Sequence, residues 1–284
     1  MHIAFVLTQS LESPSGLGRY WPIARELVRL GYRVSIIAPH HNFNSSVPLY
    51  EVRDGVEIWI SGQMHVRKVG SHKEYFSPIQ LIQLSLRTAY QTARLIRKIR
   101  PDAIHLGKPQ PINGAAVRWV LAFNRKLTLY VDCDDYEAES NRTSGKWQRW
   151  ILAYFEDSLP RLARSVSVNT RFLANRVEGL GVAKQRIHWI PNGVDRARFQ
   201  KPPQTDRAAE WPGEITTRNK RVLYIGSLDL INHPVDLLLD AFAEVHQAEP
   251  LASLLIVGGG NDFDRLQTYA RNKGLDSCVR FAGL

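Results

Sequence analysis

One pattern recurs along this chain: a short apolar run, a turn of small residues, then an amphipathic stretch. His2–Thr8 (HIAFVLT) sets the type. Such a continuous run reads as a strand buried on both faces, which is what a parallel sheet requires. Parallel neighbours need a crossover of a dozen or more residues, and the amphipathic stretches supply helices of that length. The pattern stops once, at Ile187–Phe199 (IHWIPNGVDRARF). Ile187–Ile190 reads as a short strand, and Pro191 ends it by fixing φ and removing a donor. Asn192-Gly193 is a turn dipeptide, and Asp195 is placed to cap a helical turn through Phe199. Lys201–Lys220 is then polar and carries Pro202, Pro203, Pro212 and Gly213. The chain therefore divides into residues 1–200, a linker at 201–220, and residues 221–284.

In the first part, Gly16–Arg19 follows a loop and opens a helix to about Leu30, which Gly31 stops before the strand Arg33–Ala38. Leu49–Ile60 alternates around Asp54-Gly55 and reads as a hairpin. Helices are expected at Ile79–Ile99, Ile112–Phe123, Trp147–Leu159 and Thr170–Leu180, with strands at Ala103–Leu106, Leu127–Val131 and Ser165–Val168. In the second part, strands at Arg221–Ile225, Ser253–Val257 and Cys278–Phe281 alternate with helices at Val235–Gln247 and Asp262–Asn272. The expectation is an α/β fold of two Rossmann-like doubly wound domains, the second about half present.

No apolar run in the 284 residues reaches the roughly 18 that a membrane span needs. The start, MHIAFVLTQS, lacks the basic and long apolar regions of a signal peptide. Two cysteines, Cys133 and Cys278, read as free thiols of a reducing, cytoplasmic compartment. The formal net charge of +10 favours anionic partners: phosphorylated small molecules, an anionic membrane surface, or nucleic acid. Plain solvated lysines and arginines are the bland alternative. Nucleic acid is disfavoured, because the sequence shows no aromatic–basic platform of the kind that single strands use.

Gly16–Arg19, Gly226–His233 and Gly258–Asn261 are glycine-rich turns expected at the carboxyl ends of parallel strands. Ligands bind there in such sheets, and free backbone N–H groups attract phosphate. The competing reading is that glycine only lets helix and strand approach. A dinucleotide is disfavoured: Trp21 stands where the third glycine of G-x-G-x-x-G belongs, and Pro39-His40-His41-Asn42 offers no acid for a ribose. Val131–Glu137 (VDCDDYE) gathers Asp132, Asp134, Asp135 and Glu137. These can bind a hard cation, hydrogen-bond acceptor hydroxyls, or cap a helix. His105 ends a strand and is a contact candidate or a structural histidine. The basic stretch Arg94–Arg100 and the Trp147/Trp150 helix can rest on anionic lipid, although Trp and Leu at helical spacing read first as core.

SGLGRY, PDAIH, IPNGVDRARF and IGSL…HPVDLLLDAF…LLIVGGG…VRFAG together resemble retaining glycosyltransferases of the GT-B fold, family 4. The resemblance implies transfer of a sugar from a nucleotide-diphosphate sugar to a sugar or lipid-linked acceptor, with no metal and no cofactor. It places Gly16 and Gly18 near donor phosphates and acceptor, and Gly226, Ser227, His233, Gly258, Gly259 and Gly260 on the donor side. His105 and Asp134 become the catalytic candidates. The chain departs from the family in three places. The family's arginine and lysine after the strand-end glycine are here Ser227 and His233, so Arg19, Lys108 or Arg171 are candidates to supply the missing charge. A histidine often found two residues after the one matching His105 is here Gly107. The family's paired glutamates fall beyond Leu284. The expectation is an N-terminal portion of a longer enzyme with little activity alone. The alternative is a non-catalytic binding or scaffold module.

Overall fold

A computed structural model describes residues 1–69, 72–140, 145–194, 220–231 and 233–283. The helical turn expected from Asp195 to Phe199 and nearly all of the linker lie outside them. The strands are β1 (His2–Val6), β2 (Arg33–His40), β3 (Tyr50–Arg53), β4 (Val56–Gln63), β5 (Val66–Val69), β6 (His72–Tyr75), β7 (Ala103–Gly107), β8 (Thr128–Cys133), β9 (Ser165–Val168), β10 (Ile187–Trp189), β11 (Arg221–Ile225), β12 (Ser253–Val257) and β13 (Val279–Gly283). The helices are α1 (Trp21–Arg29), α2 (Pro78–Ile99), α3 (Pro111–Phe123), α4 (Glu137–Ser140), α5 (Lys146–Leu162), α6 (Arg171–Gly179), α7 (Val235–Ala248) and α8 (Phe263–Asn272).

The chain forms two compact units: Met1–Arg67 with Tyr75–Gln200, and the tip Lys68–Glu74 with Lys201–Leu284. The first holds an eight-stranded sheet in the order β10-β9-β8-β7-β1-β2-β4-β3, parallel except for β3. Asp54 and Gly55 close the β3–β4 hairpin with positive φ at both positions, 49° and 78°. That backbone matches the twist of the flanking strands. On one face of the sheet, α2, α3, α5 and α6 bury Ala93, Ile96, Val117, Val120, Leu159 and Val177 against Ile104, Leu106, Val131 and Val166. On the other, Tyr20, Trp21 and Ala24 meet Phe5, Val34 and Ile36. The second unit is the parallel sheet β11-β12-β13, packed on α7 and α8 through Leu239, Phe242, Leu254, Ile256 and Leu266. β11 is an edge strand among the described residues and leaves Leu223 and Ile225 exposed.

Local chemistry sets the helix ends. Ser77 caps α2 through the Gln80 amide, the Gln80 side chain returns the bond, and Pro78 fills the first turn. Arg100 ends that helix in a left-handed conformation. The helix expected to open at Gly16 begins differently: Gly16–Tyr20 is a π-helical turn that runs into α1. Gly16 explains the detour, since a Cβ there would lie 2.3 Å from the Leu11 carbonyl oxygen. The two-stranded sheet of β5 and β6 and the single turn α4 had no sequence signal. The core reading of the tryptophans is corrected. Phe155 and Leu159 face α3 across Gly114, whereas Trp147 and Trp150 point outward, the latter 69% exposed.

Gly114 lets α3 and α5 touch, because an added Cβ would meet Phe155 Cδ1 at 2.6 Å and Leu159 Cδ1 at 2.8 Å. Gly114→Ala is expected to lower unfolding free energy by about 1–3 kcal/mol through overpacking, despite the better helix propensity of alanine. Urea denaturation of the variant checks this; an unchanged midpoint would place the helix contact elsewhere.

Candidate functional site

The polar groups of the first unit gather where its parallel strands end. Asp132, the penultimate residue of β8, is buried and accepts from Arg19 Nε at 2.7 Å and Nη2 at 2.6 Å. Tyr20 Oη donates to it at 3.1 Å and Ser167 Oγ at 2.5 Å. Arg19 Nη1 continues to Asn192 Oδ1 at 2.7 Å, on the segment that leaves β10. A single guanidinium thus joins the turn after β1, the end of β8 and the segment after β10. Burial alone lowers the pKa of Arg19, but the hydrogen bonds and charge of Asp132 outweigh it and raise the value. Burial pushes Asp132 up, and the hydrogen bonds and charges around it, those of Arg19 first, together more than reverse this. Both groups are therefore ionised, as a buried bidentate pair must be to offset its desolvation.

Beside this pair lies a second buried cation. Lys108 follows β7 with φ of 55°, a left-handed backbone rare outside glycine. The conformation is held by its amide, which donates to the Asp132 carbonyl at 3.0 Å. Asn113 Nδ2 donates to its carbonyl at 2.9 Å. Its ammonium lies 3.4 Å from Asp134 Oδ1, 3.3 Å from Glu137 Oε1, and hydrogen-bonds Asp135. Burial would lower the pKa of Lys108; Glu137, Asp134 and Asp135 together raise it. Burial pushes Asp134 up to about 7, with Lys108 opposing. Asp134, Asp135 and Glu137 are close enough to share a cation, and Lys108 supplies one from within the chain. Behind them, Glu156 accepts from the amides of Glu137 and Ala138 and so starts α4.

His105 lies one strand over, its ring 4.7 Å from Phe5 and 6.3 Å from Tyr20. Burial lowers its pKa, which favours the neutral ring near pH 7. Its Nε2 is enclosed and has no hydrogen-bond partner among the described residues. Gly107 has a steric cause: a Cβ there would sit 2.6 Å from Tyr20 Cζ and 2.8 Å from Leu7 Cδ2. The space a larger residue would need belongs to the ring whose hydroxyl donates to Asp132. Gly18, by contrast, has nothing within 4 Å of an added Cβ.

The second unit builds its strand ends from backbone. The loops after β11 and β12 interlock: the Leu228 amide donates to the Gly259 carbonyl at 3.0 Å, and the Asp262 amide to the Leu228 carbonyl at 3.0 Å. Gly258 has φ of 153°, and a Cβ there would fall 1.9 Å from the Gly226 oxygen. At Gly260 it would lie 2.4 Å from the Leu228 oxygen. Asp262 Oδ2 accepts from the Leu230 amide, and the amide of His233 donates to the Asp229 carbonyl. The Ser227 carbonyl accepts from Tyr224 Oη at 3.0 Å. Gly226, Ser227, Gly258 and Gly259 are thus neighbours at the carboxyl ends of adjacent parallel strands, where open α/β sheets bind ligands.

Residues 16–198 match the family model described as Glycosyltransferase Family 4, and residues 219–284 match Glycosyl transferases group 1. The chain belongs to glycosyltransferase family 4. Among curated relatives, D-inositol 3-phosphate glycosyltransferase of Corynebacterium jeikeium is 34% identical over 167 residues. That alignment covers 55% of this chain and 36% of the relative, so the chain spans about a third of that protein's length. Sucrose-phosphate synthase of Thermosynechococcus elongatus superposes with a TM-score of 0.70 at 15% identity, over 100% of this chain and 70% of that one. Anabaena Alr3699/HepE, solved in complex with UDP and glucose, superposes at 0.59 and 16% identity, over 99% and 68%. At these identities the structures establish the fold, two Rossmann-like units of GT-B type.

Arg19 and Lys108 are both buried against carboxylates, and Arg171 lies with its guanidinium 5.1 Å from the centre of the Trp189 ring. All three belong to the first unit. Asp132, Tyr20, Ser167 and Asn192 were not singled out for this network by sequence. Strand-end position was the available signal for Asp132, and the turn dipeptide for Asn192. The reading of Asp134 as a hydroxyl contact gains a detail, since its carboxylate already faces Lys108.

Two outcomes test this description. Lys108→Met leaves Asp134 and Glu137 without their cation and is expected to cost about 3–5 kcal/mol, the usual penalty for breaking a buried pair. Mn²⁺ should recover part of the loss in melting experiments, whereas it should leave the unaltered chain unchanged. The second concerns Glu156, which burial pushes up to about 7 from 4.5. Between those values the folded chain holds a proton that the unfolded chain has released, so this group makes stability fall as pH rises through the window. Glu156→Gln should flatten that decline in urea midpoints taken from about pH 5 to pH 8.

Proposed function

We propose that this chain carries the acceptor-side domain and part of the donor-side domain of a retaining hexosyltransferase. The enzyme uses a nucleotide-diphosphate sugar and needs no metal or cofactor. The oxygen of an acceptor hydroxyl, on a sugar or a lipid-linked acceptor, bonds to the anomeric carbon as the bond from that carbon to the diphosphate oxygen breaks, and the hydroxyl proton passes to the departing diphosphate. The observation that carries the reading is the match of both parts of the chain, in order, to glycosyltransferase family models. Three further points support it. The relative is named a D-inositol 3-phosphate glycosyltransferase, and the fold neighbour was solved in complex with UDP and glucose. At the strand ends of the first unit the Asp135 carboxylate is exposed and suited to a sugar hydroxyl, and the strand ends of the second carry close-packed backbone suited to a nucleotide. Lys108 fills the centre of the carboxylate group, which favours transfer without a divalent ion there.

The exposed apolar edge of β11 supports the reading that the donor-side sheet takes further strands in the working enzyme. The isolated 284-residue chain is then a weak transferase at best. Its natural place is the cytoplasm, where nucleotide sugars are available. A second reading, a binding module that no longer transfers, is favoured by Ser227 and His233, which replace the family's fixed positive charges.

Calorimetric titration with UDP, GDP and ADP tests the donor site on this chain. Binding of one nucleotide diphosphate, lost in Gly258→Ala but kept in Gly18→Ala, is the expected outcome. No binding of any of the three would sink the donor-site assignment. In a longer form of the protein that binds nucleotide, Ser227→Arg with His233→Lys separates the two readings. Activity gained only on that change would favour the non-transferring module.

A further inference from the structure

The outer faces of α2, α3 and α5 have no covering element among the described residues, and they are built alike. On α2, Ile79, Ile82, Leu86, Tyr90, Arg94 and Arg97 recur at three- and four-residue spacing, and all are exposed. Such spacing puts them in one stripe. α3 adds Trp119 and Phe123, the latter 81% exposed, and α5 adds Trp147, Trp150, Tyr154 and Arg161. The stripes are continuous through ring contacts. Tyr90 lies 6.0 Å from Trp119, Arg118 stacks over Tyr154 at 5.5 Å, and Tyr154 lies 6.1 Å from Trp150.

We propose that this face docks on an anionic lipid bilayer. Charge and composition select that occupant. α2 and α3 contain no acidic residue. The two acids of α5, Glu156 and Asp157, both pair with Arg176. The chain as a whole carries +10. A second protein copy would bring the same positive face and be repelled. Tryptophan and tyrosine prefer the boundary between headgroup and acyl chain, and arginines beside them reach lipid phosphates. The sequence marked Arg94–Arg100 and the Trp147/Trp150 helix for anionic lipid; the fold adds Ile79, Ile82, Leu86, Tyr90, Trp119, Phe123 and Tyr154 to them. Nucleic acid fits it less well, because exposed aliphatic Ile79, Ile82 and Leu86 are part of the surface, whereas single strands are held by basic and aromatic side chains. The binding needs no donor sugar and stands apart from the transfer reaction.

Sedimentation with sucrose-loaded vesicles tests it. The chain should pellet with vesicles of phosphatidylcholine and phosphatidylglycerol, stay in solution with phosphatidylcholine alone, and be released by high salt. Arg94→Gln with Arg97→Gln should lower the partition coefficient roughly tenfold or more. Phe123→Ser with Trp150→Ser, both at exposed sites, should lower it by a similar factor while the circular dichroism spectrum is unchanged. Brominated acyl chains should quench the tryptophan fluorescence of the unaltered chain. Vesicle binding indifferent to both pairs of changes would overturn the proposal. So would no vesicle binding together with a salt-sensitive complex with an oligonucleotide, or a dimer that either pair disrupts.

Discussion

The buried pair of Arg19 and Asp132 is the constraint around which the first unit is arranged. Two charges withdrawn from water lose several kcal/mol of hydration each, and only close geometry with further hydrogen bonds recovers it. Asp132 meets that condition with two bonds from one guanidinium, one from Tyr20 and one from Ser167. The consequences spread outward from it. Tyr20 must lie against β7, so position 107 must be glycine. Arg19 must reach β8, and the π-helical turn that carries it is made possible by Gly16 packing on Leu11. Asn192 is then held by the same arginine, which fixes how the chain leaves β10.

The second unit solves the same topological problem with different material. Its strand ends carry no buried ion pair among the described residues. Two glycine loops instead press together until a methyl group would collide with a carbonyl oxygen. The packing explanation of Gly258 and Gly260 is therefore fully satisfied by geometry. That does not compete with a nucleotide role: backbone brought this close is a rigid surface, and rigid surfaces lose little entropy when a ligand arrives.

The sequence displayed what depends on periodicity and stopped short of what depends on partners. Every long strand and helix was visible, because an apolar run or a 3.6-residue stripe is a local property. The turn Asp54-Gly55 was visible for the same reason. The β5–β6 pair was not, since Val66–Val69 and His72–Tyr75 are short, charged and weakly alternating. α4 was not, because its first amides are capped by Glu156, nineteen residues later. Arg19 and Lys108 were visible as charges near strand ends, but their partners lie 113 and 27 residues away. From sequence both looked like charge available to a phosphate.

Trp147 and Trp150 show the limit most clearly, because periodicity gives a helix a stripe without saying which way the stripe faces. On α5 two candidate stripes compete, Phe155 with Leu159 and Trp147 with Trp150. Gly114 decides between them: it opens a socket on α3 that accepts Phe155 and Leu159, and the tryptophans are left outside. A large aromatic left exposed by a well-packed helix is not relieved by rotating that helix, since rotation would empty the socket. Trp150 therefore stays in water beside Tyr154, whose ring carries the Arg118 guanidinium, and a contiguous aromatic–basic patch of this kind is a surface that meets a partner.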